Sequence, residues 1–227
     1  MKFIQKICLI LFVMGVCLIG VSGGDAINVF RGKVLNFNEM ALSYFGDDQL
    51  VEGKITVVYD QVAEGTMPKK ILGIKVGEIK INYYLIETVG IGTDGFPKLN
   101  SHFILFATSD EKEKEEMDNL IYTFLECRKN KYYDLDEHAL DIRGKVFKVR
   151  NDDLKNARNT TMTELFGYDE YDIRDYTLNC VIQSYNYDDA VRNFIVGIVL
   201  AVVSAGVFAF TFVKQRKDSI KKQLMMQ

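Results

Sequence analysis

The chain has few of the side chains and motifs on which enzymes rely. Its 227 residues include two histidines, and no Gly-x-Ser-x-Gly nucleophile elbow or Cys–His catalytic motif occurs. A Gly-x-Gly sequence at Gly90 and Gly92 is followed by a Thr-Asp-Gly turn and does not match a phosphate-binding fingerprint. These absences disfavour nucleotide-dependent enzymes and serine or cysteine hydrolases, and we expect no catalytic residue and no cofactor.

Proline and cysteine are scarce as well. Two prolines in the whole chain exclude a proline-rich stalk. Of the four cysteines, Cys8 and Cys17 fall in an apolar N-terminal stretch, where they act as small apolar residues. Cys127 and Cys180 lie in the middle of the chain, and the sequence leaves open whether they form a disulfide or stay as two buried thiols.

Charge is absent from two stretches, residues 7–24 and 194–213. A helix needs about 20 apolar residues to cross a bilayer, so both stretches are predicted to span a membrane and the lipid bilayer is an expected partner. Lys2 and Lys6 before the first stretch also suit a cleavable signal sequence. Because Asp25 makes the exit of this stretch a poor cleavage site, we favour an uncleaved anchor.

The distribution of basic residues predicts the orientation. Five basic side chains follow the second stretch and Lys2 and Lys6 precede the first, and such residues are retained on the cytoplasmic side. Residues 25–190 hold 20 basic and 30 acidic side chains, a net charge of −10, which argues against a nucleic-acid partner. We predict an anchor over residues 1–24, an extracytoplasmic domain over 25–190, a second span over 191–213 and a basic cytoplasmic tail over 214–227.

Small residues recur at every fourth position in both predicted spans, which lets helix backbones approach closely in a bilayer. They are Gly20 and Gly24 in the first span and Gly197, Ala201, Ala205 and Ala209 in the second. We predict that the two spans pack on each other, or that the second span joins two copies of the chain in a homo-oligomer.

The middle region has the patterns of an α+β domain. Runs rich in β-branched and aromatic residues predict strands over residues 54–59, 71–74, 77–86, 103–107 and 176–184, with a turn over 64–68. Thr108 and Glu111 fit a capping box at the start of a helix. The apolar stripe of that helix is expected to pack on the sheet and consists of Met117, Leu120, Ile121, Phe124 and Leu125. The expected fold is a mixed or antiparallel sheet with one clear amphipathic helix, flanked by two transmembrane helices.

A short internal repeat suggests a partial duplication. Arg-Gly-Lys-Val occurs at residues 31–34 and again at 143–146, and residues 44–48 loosely match residues 165–169. A duplication would place two similar strand–turn–strand units in one sheet.

Two acidic clusters are candidate ligand sites. Tyr168, Asp169, Tyr171 and Asp172 could bind a sugar, a basic peptide or a cation, or could form a polar loop whose tyrosines cover the core. The other cluster, residues 134–141, brings carboxylates together with His138. It has no glycine for the sharp turn of a calcium loop and no paired-histidine zinc spacing, so we expect no metal ligand.

Four features of the chain occur together in one group of proteins: the strand from Gly53-Lys54-Ile55 to Tyr59-Asp60, the strand over residues 83–86, the strand and helix over 103–125, and the two terminal spans. In these features, which cover most of the chain, it resembles a family of uncharacterised small two-span membrane proteins of anaerobic Gram-positive bacteria. The resemblance implies location and layout, and it carries over no activity and no functional residue.

These patterns together favour a non-enzymatic role at the cell envelope. We expect a membrane-anchored extracytoplasmic interaction or accessory protein that contacts another membrane or envelope protein. The alternative is a cell-surface binding module for a sugar or peptide. A metal-dependent hydrolase built on His138 is a further alternative.

Overall fold

The computed structural model describes residues 2–39, 46–71, 74–89, 102–131 and 138–225. Within these residues the chain forms five helices and a mixed seven-stranded sheet, so the predicted α+β class is confirmed. In chain order the elements are α1 (Lys2–Phe30), β1 (Leu35–Asn36), β2 (Leu50–Ile55), β3 (Val58–Ile71), β4 (Ile74–Glu87), β5 (Phe103–Thr108), α2 (Glu111–Asn130), β6 (Leu140–Lys148), α3 (Asp152–Phe166), α4 (Glu170–Tyr176), β7 (Thr177–Ser184) and α5 (Tyr187–Leu224).

The elements group into two compact units. The first, called the helical hairpin below, contains α1 and α5 and covers Met1–Gly32 and Tyr187–Gln227. The second, called the sheet domain, contains all strands and the three short helices and covers Lys33–Ile71 and Lys75–Asn186. The sheet domain is therefore inserted in sequence between the two helices of the hairpin.

Both helices of the hairpin are long and apolar enough to cross a membrane, by length and composition. α1 has 29 residues and α5 has 38, so each extends past the uncharged stretch that predicted it. α1 continues through Gly23 and Gly24, where the sequence predicted that the chain would leave the span. At Gly23 the helix lies close to α5, because a Cβ built there would be 3.5 Å from the ring of Phe194.

The two helices of the hairpin are antiparallel. Near one end Gln5 Nε2 donates a hydrogen bond of 3.2 Å to Gln215 Oε1. Near the other end the rings of Phe30 and Phe194 lie 6.4 Å apart. The start of α1 and the end of α5 therefore lie at the same end of the hairpin.

Two glycines mark the closest approach of the helices. A Cβ built on Gly15 would lie 2.7 Å from the carbonyl oxygen of Gly197 and 2.8 Å from the amide nitrogen of Ala201. A Cβ on Gly197 would in turn lie 2.8 Å from the carbonyl oxygen of Gly15. The packing expected of Gly197 and Ala201 thus occurs within one chain. Gly15 supplies the other side, whereas Gly20 and Gly24 have no such neighbour within 4 Å in this chain, so a role for them between two copies stays a prediction.

Ala205 and Ala209, the other members of the predicted stripe, are exposed in this chain. The helix repeat is 3.6 residues, so a series with a spacing of four turns by about 40° at each step and leaves the contact face. Ser204, seven residues after Gly197, remains on that face and is 3% exposed. A role for Ala205 and Ala209 in joining two copies stays a prediction.

The sheet has the strand order β1-β2-β6-β7-β5-β4-β3. β1 is parallel to β2 and β5 is parallel to β7, whereas the pairs β2–β6, β6–β7 and β4–β5 are antiparallel. The sheet is therefore mixed, as expected. β3 lies at an edge beside β4.

β5 is buried along its whole length and divides the core in two. Successive side chains of a strand point to opposite faces. Ile104 and Phe106 belong to a first core cluster that includes Met117 and Leu120 of α2. Phe103, Leu105 and Ala107 belong to a second core cluster, which includes Met162 of α3 and Ile173 of α4. Both faces of the sheet are thus covered.

The predicted amphipathic helix is present as α2, with two differences from expectation. Its N-cap is Asp110, whose carboxylate accepts hydrogen bonds from the amides of Lys112 and Glu113. The predicted cap, Thr108, is still paired in β5, so the helix cannot begin there. Leu125, predicted in the buried stripe, is 50% exposed.

Two other expectations from the sequence were wrong, and one helix was missed. β3 continues through residues 64–68, which were predicted to turn, and its position at the edge of the sheet is one where proline is tolerated in a strand. Residues 170–176 form α4 rather than a polar loop. α3 was not predicted at all, although Asn151 before Asp152 and Asp153 is a helix-start signal.

The internal repeat has no structural counterpart. Arg31 and Gly32 follow the end of α1, whereas Arg143 and Gly144 lie in the middle of β6. The second copy continues into two helices, α3 and α4, before β7 begins, so it is not a strand–turn–strand unit.

The contact between Gly15 and Gly197 generates a stability prediction. Gly15→Ala places a methyl group against the backbone of α5, and we expect a loss of about 1–3 kcal/mol, as for other overpacked contacts. Gly20→Ala is the matched control, since it adds a methyl group to the same helix in open space. Thermal unfolding of the full chain in detergent measures both; equal melting temperatures would contradict the described packing.

Gly144 generates a second prediction, for the sheet domain. A Cβ on Gly144 would overlap Ile182 Cγ2 on β7 and lie 2.9 Å from the carbonyl oxygen of Gln183. We expect Gly144→Ala to lower the free energy of unfolding by about 1–3 kcal/mol. Gly77→Ala, in β4 with no such neighbour within 4 Å, should change it little. Chemical denaturation of the two variants makes the comparison, and a stable Gly144→Ala protein would show that β6 and β7 pack less tightly than described.

Candidate functional site

A cleft of about 530 Å³ opens on the sheet domain where β6 ends and α3 begins. Its floor is apolar and formed by side chains from four elements, namely Tyr83 of β4, Phe147 of β6, Leu154 of α3 and Val181 of β7. Its rim is polar and consists of Asp47, Asp48, Lys148, Arg150 and Asn151. Ligand-binding clefts commonly have this size and this combination of an apolar floor with a few polar groups.

The floor results from the alternation of side chains along β6 between the two faces of the sheet, and from the position of α3. Phe147 points to the second core cluster, and Leu154 in the first turns of α3 packs against the same cluster. Tyr83, Phe147 and Leu154 are only half-buried, so the second core cluster is not closed at this end. Burial raises the pKa of the Tyr83 hydroxyl, which therefore stays protonated at neutral pH.

Asp47 connects the two sides of the rim. Its Oδ1 accepts a hydrogen bond of 3.1 Å from the amide of Lys148, and its Oδ2 lies 3.0 Å from Arg150 Nη2. The Arg150 side chain is 82% exposed, so this ion pair is worth at most about 1 kcal/mol and exchanges readily. The adjacent Asp48 has a φ of 64° and pairs with Lys145 at 3.4 Å.

Asn151 fixes the start of α3 beside the cleft. Its side chain accepts a hydrogen bond of 2.8 Å from the amide of Asp153, as the N-cap of the helix. Asp152 and Asp153 occupy the first turn, where negative charge is favourable. The side-chain amide of Asn151 is thus held at the rim of the cleft because Asn151 caps α3.

The residues of the cleft were not identified from the sequence. Asp47 and Arg150 are about a hundred positions apart, and no spacing pattern connects them. The one sequence signal was local, the helix start at Asn151, and it reports an element boundary rather than a site.

The predicted Tyr/Asp ligand loop lies elsewhere, at α4, and its side chains mostly have structural contacts. Asp169 is the N-cap of α4 and forms a capping box with Asp172. The ring of Tyr168 packs 5.3 Å from Phe166 in the second core cluster. Tyr171 is 69% exposed and carries the guanidinium of Arg174 at 5.5 Å from its ring centre. Ligand binding by this segment stays a prediction.

An aromatic group in the second core cluster encloses a carboxylate. The ring of Tyr59 lies 5.4, 4.9 and 5.1 Å from the rings of Phe103, Phe124 and Phe166. Glu87, 2% exposed, is next to the Tyr59 hydroxyl. Burial, together with the charge of Glu87, raises the pKa of Tyr59 well above its usual range. Tyr59 and Glu87 are both buried, so this pair belongs to the core.

Cys127 and Cys180 are not joined by a disulfide. Cys180 belongs to the first core cluster, whereas Cys127 packs against the second, on the opposite face of the sheet. Burial raises the pKa of the Cys180 thiol to about 12, although the nearby Arg158 lowers it. Arg158 is itself buried and donates a hydrogen bond of 3.2 Å to the carbonyl oxygen of Leu178. The pair therefore consists of two thiols that are not joined to each other, as the second alternative expected, but only Cys180 is buried and Cys127 is half-buried.

The acidic cluster around His138 is described only in part. Residues 134–137 lie outside the described residues, and His138 is exposed. Among the residues that the structure describes, no group of three or more His, Cys, Asp or Glu side chains is arranged to hold a metal ion. The hydrolase alternative gains no support from this geometry.

No known protein family, curated protein or solved structure matches this chain. The resemblance to two-span membrane proteins stays a prediction, and the function has to be argued from the hairpin and the cleft.

The raised pKa of Cys180 generates a reactivity prediction. At about pH 8 only about one thiol in ten thousand is ionised when its pKa is about 12, and the thiolate is the nucleophile. In a chain whose other cysteines are replaced by Ala, Cys180 should not react with N-ethylmaleimide until the protein is denatured. Lys129→Cys in a chain without other cysteines is the exposed control. Mass spectrometry counts the adducts, and rapid labelling of native Cys180 would refute the described burial.

Proposed function

We propose that the protein is a membrane-anchored interaction protein that presents the sheet domain on the extracytoplasmic side and has no catalytic activity. The observation that supports this proposal best is the apolar outer surface of the hairpin. The exposed large apolar side chains lie along both helices and include Leu9, Ile10, Val13, Val199, Val202, Val203 and Phe210. Such surface is stable in contact with lipid and unfavourable in water.

The antiparallel hairpin supports two spans with both chain ends on one side. The Gln5–Gln215 hydrogen bond is at the end that carries the termini. Lys2, Lys6 and the basic tail belong to this end, and the positive-inside rule assigns it to the cytoplasm. The sheet domain, which follows α1 and precedes α5 in the sequence, is then extracytoplasmic.

An interaction role is supported by the surface of the sheet domain. Its excess of acidic residues is unsuited to a polyanionic partner such as nucleic acid. Its cleft combines an apolar floor with charges of both signs, which suits the recognition of a ligand or of a segment of another envelope protein. The cleft also favours the alternative of a surface binding module, because both roles need such a site.

The orientation can be measured with single cysteines in a chain whose native cysteines are replaced by Ala. Lys129→Cys reports on the sheet domain, since the Lys129 side chain is 74% exposed. Lys217→Cys is the matched site on the basic tail and is also exposed. We expect a membrane-impermeant maleimide to label Cys at 129 in intact cells, and Cys at 217 only after the membrane is permeabilised.

Two other labelling patterns would also be informative. Labelling of position 217 but not 129 in intact cells would show that the orientation is the reverse of the proposed one and would refute the proposal. Labelling of both positions only after permeabilisation would place the sheet domain in the cytoplasm, with intracellular partners. Detergent-extracted cells, in which both positions should react, control for accessibility.

A further inference from the structure

We infer that the cleft beside α3 binds a short peptide segment that carries an apolar side chain between a cationic and an anionic group. This inference deepens the proposed interaction role and rests on it for its biological meaning. The binding itself depends only on the geometry of the cleft and can be tested on the purified chain.

The floor of the cleft provides a site for an apolar side chain. Tyr83, Phe147 and Leu154 pack on the second core cluster with one side and remain half-exposed on the other. Val181, 9% exposed, completes the floor. Apolar surface of this kind gains stability when water is displaced from it, at about 25 cal/mol per Å².

The rim provides both signs of charge around that floor. Asp47 and Asp48 come from the turn before β2, whereas Lys148 and Arg150 come from the end of β6. The Asp48 side chain is 71% exposed, and the Arg150 side chain is 82% exposed. Arg150 can therefore turn from Asp47, and Asp48 from Lys145, to a ligand without unfolding any element.

The mixed rim selects among classes of ligand. A polyanion would meet Asp47 and Asp48, and a polycation would meet Lys148 and Arg150, so each would be repelled on one side. An uncharged sugar would leave Asp47 paired with Arg150 and Asp48 paired with Lys145, so the charges of the rim would add little to its binding. A peptide with a basic and an acidic residue beside an apolar one matches the rim and the floor together. A volume of about 530 Å³ accommodates an aromatic side chain and adjacent backbone.

The test uses blocked tripeptides and the full chain in lipid nanodiscs. The probes are acetylated and amidated Lys-Phe-Glu and Glu-Phe-Lys, since the cleft does not fix the direction of the peptide. We expect at least one of them to bind in calorimetry. Replacing its central Phe by Ser should weaken binding about tenfold or more, because the apolar contact with the floor is lost.

Two variants and one control locate the binding. Asp47→Asn removes a charge while keeping an oxygen that can accept from the Lys148 amide, and Arg150→Gln removes the opposite charge. Each should weaken binding of the charged tripeptide about threefold or more without changing the melting temperature. Arg174→Gln, at an arginine that is 70% exposed and outside the cleft, should leave binding unchanged.

Several results would overturn the inference. The first is the absence of binding of both Phe tripeptides at about 10 mM. The second is binding of the Ser peptide as strong as that of the Phe peptide. The third is binding to the Asp47→Asn and Arg150→Gln variants as strong as to the unchanged protein. Binding of a chitin oligomer instead of the peptides would assign the cleft to sugars. Because purified protein is used, these results are independent of the labelling experiment, and failure of either proposal can be recognised separately.

Discussion

Burial of β5 on both faces is the constraint from which the sheet domain follows. All six residues of this strand are buried, and the strand contributes residues to two core clusters on opposite sides of the sheet. β5 is also parallel to β7, and a parallel pair needs a long crossover between its strands. Residues 109–176 supply that crossover and contain α2, β6, α3 and α4. The crossover supplies the side of the cleft at which the chain leaves β6 and enters α3.

The hairpin depends on a different physical contact. In the bilayer location that we propose for these helices, lipid gives no hydrophobic drive for helices to associate, so packing relies on close approach of backbones and on satisfied polar groups. Gly15 and Gly197 provide the close approach. The buried hydroxyl of Ser204 bonds to the carbonyl oxygen of Leu200 in its own helix, and Gln5 bonds to Gln215 across the pair. These polar side chains of the hairpin thus have partners within the hairpin, while its outer surface is apolar.

The distribution of charge along the chain matches the different roles proposed for the two units. The net charge is positive at both ends of the chain, and acidic residues outnumber basic residues between them. Within the sheet domain the cleft is a local exception, because two acids and two bases share its rim. Asp47 anchors to the amide of Lys148 and leaves its other oxygen to the exposed Arg150, so one member of the pair is fixed and the other can move. This asymmetry suits a site that exchanges an internal ion pair for contacts with a ligand.

The sequence by itself determined the features that depend on one segment. The uncharged runs predicted both long helices, the dense apolar run predicted β5, and the 3.6-residue spacing predicted α2. The tertiary structure decided everything that needs a partner segment. Pairing of Thr108 in β5 moved the helix cap to Asp110, the edge position of β3 made Pro68 acceptable within a strand, and contact with α5 selected Gly15 rather than Gly20. The cleft belongs to the same category. Asp47 and Arg150 have no relation in sequence, and only the pairing of β2 with β6 brings them within 3.0 Å, because periodicity reports the burial of a segment and not the identity of the residues across from it.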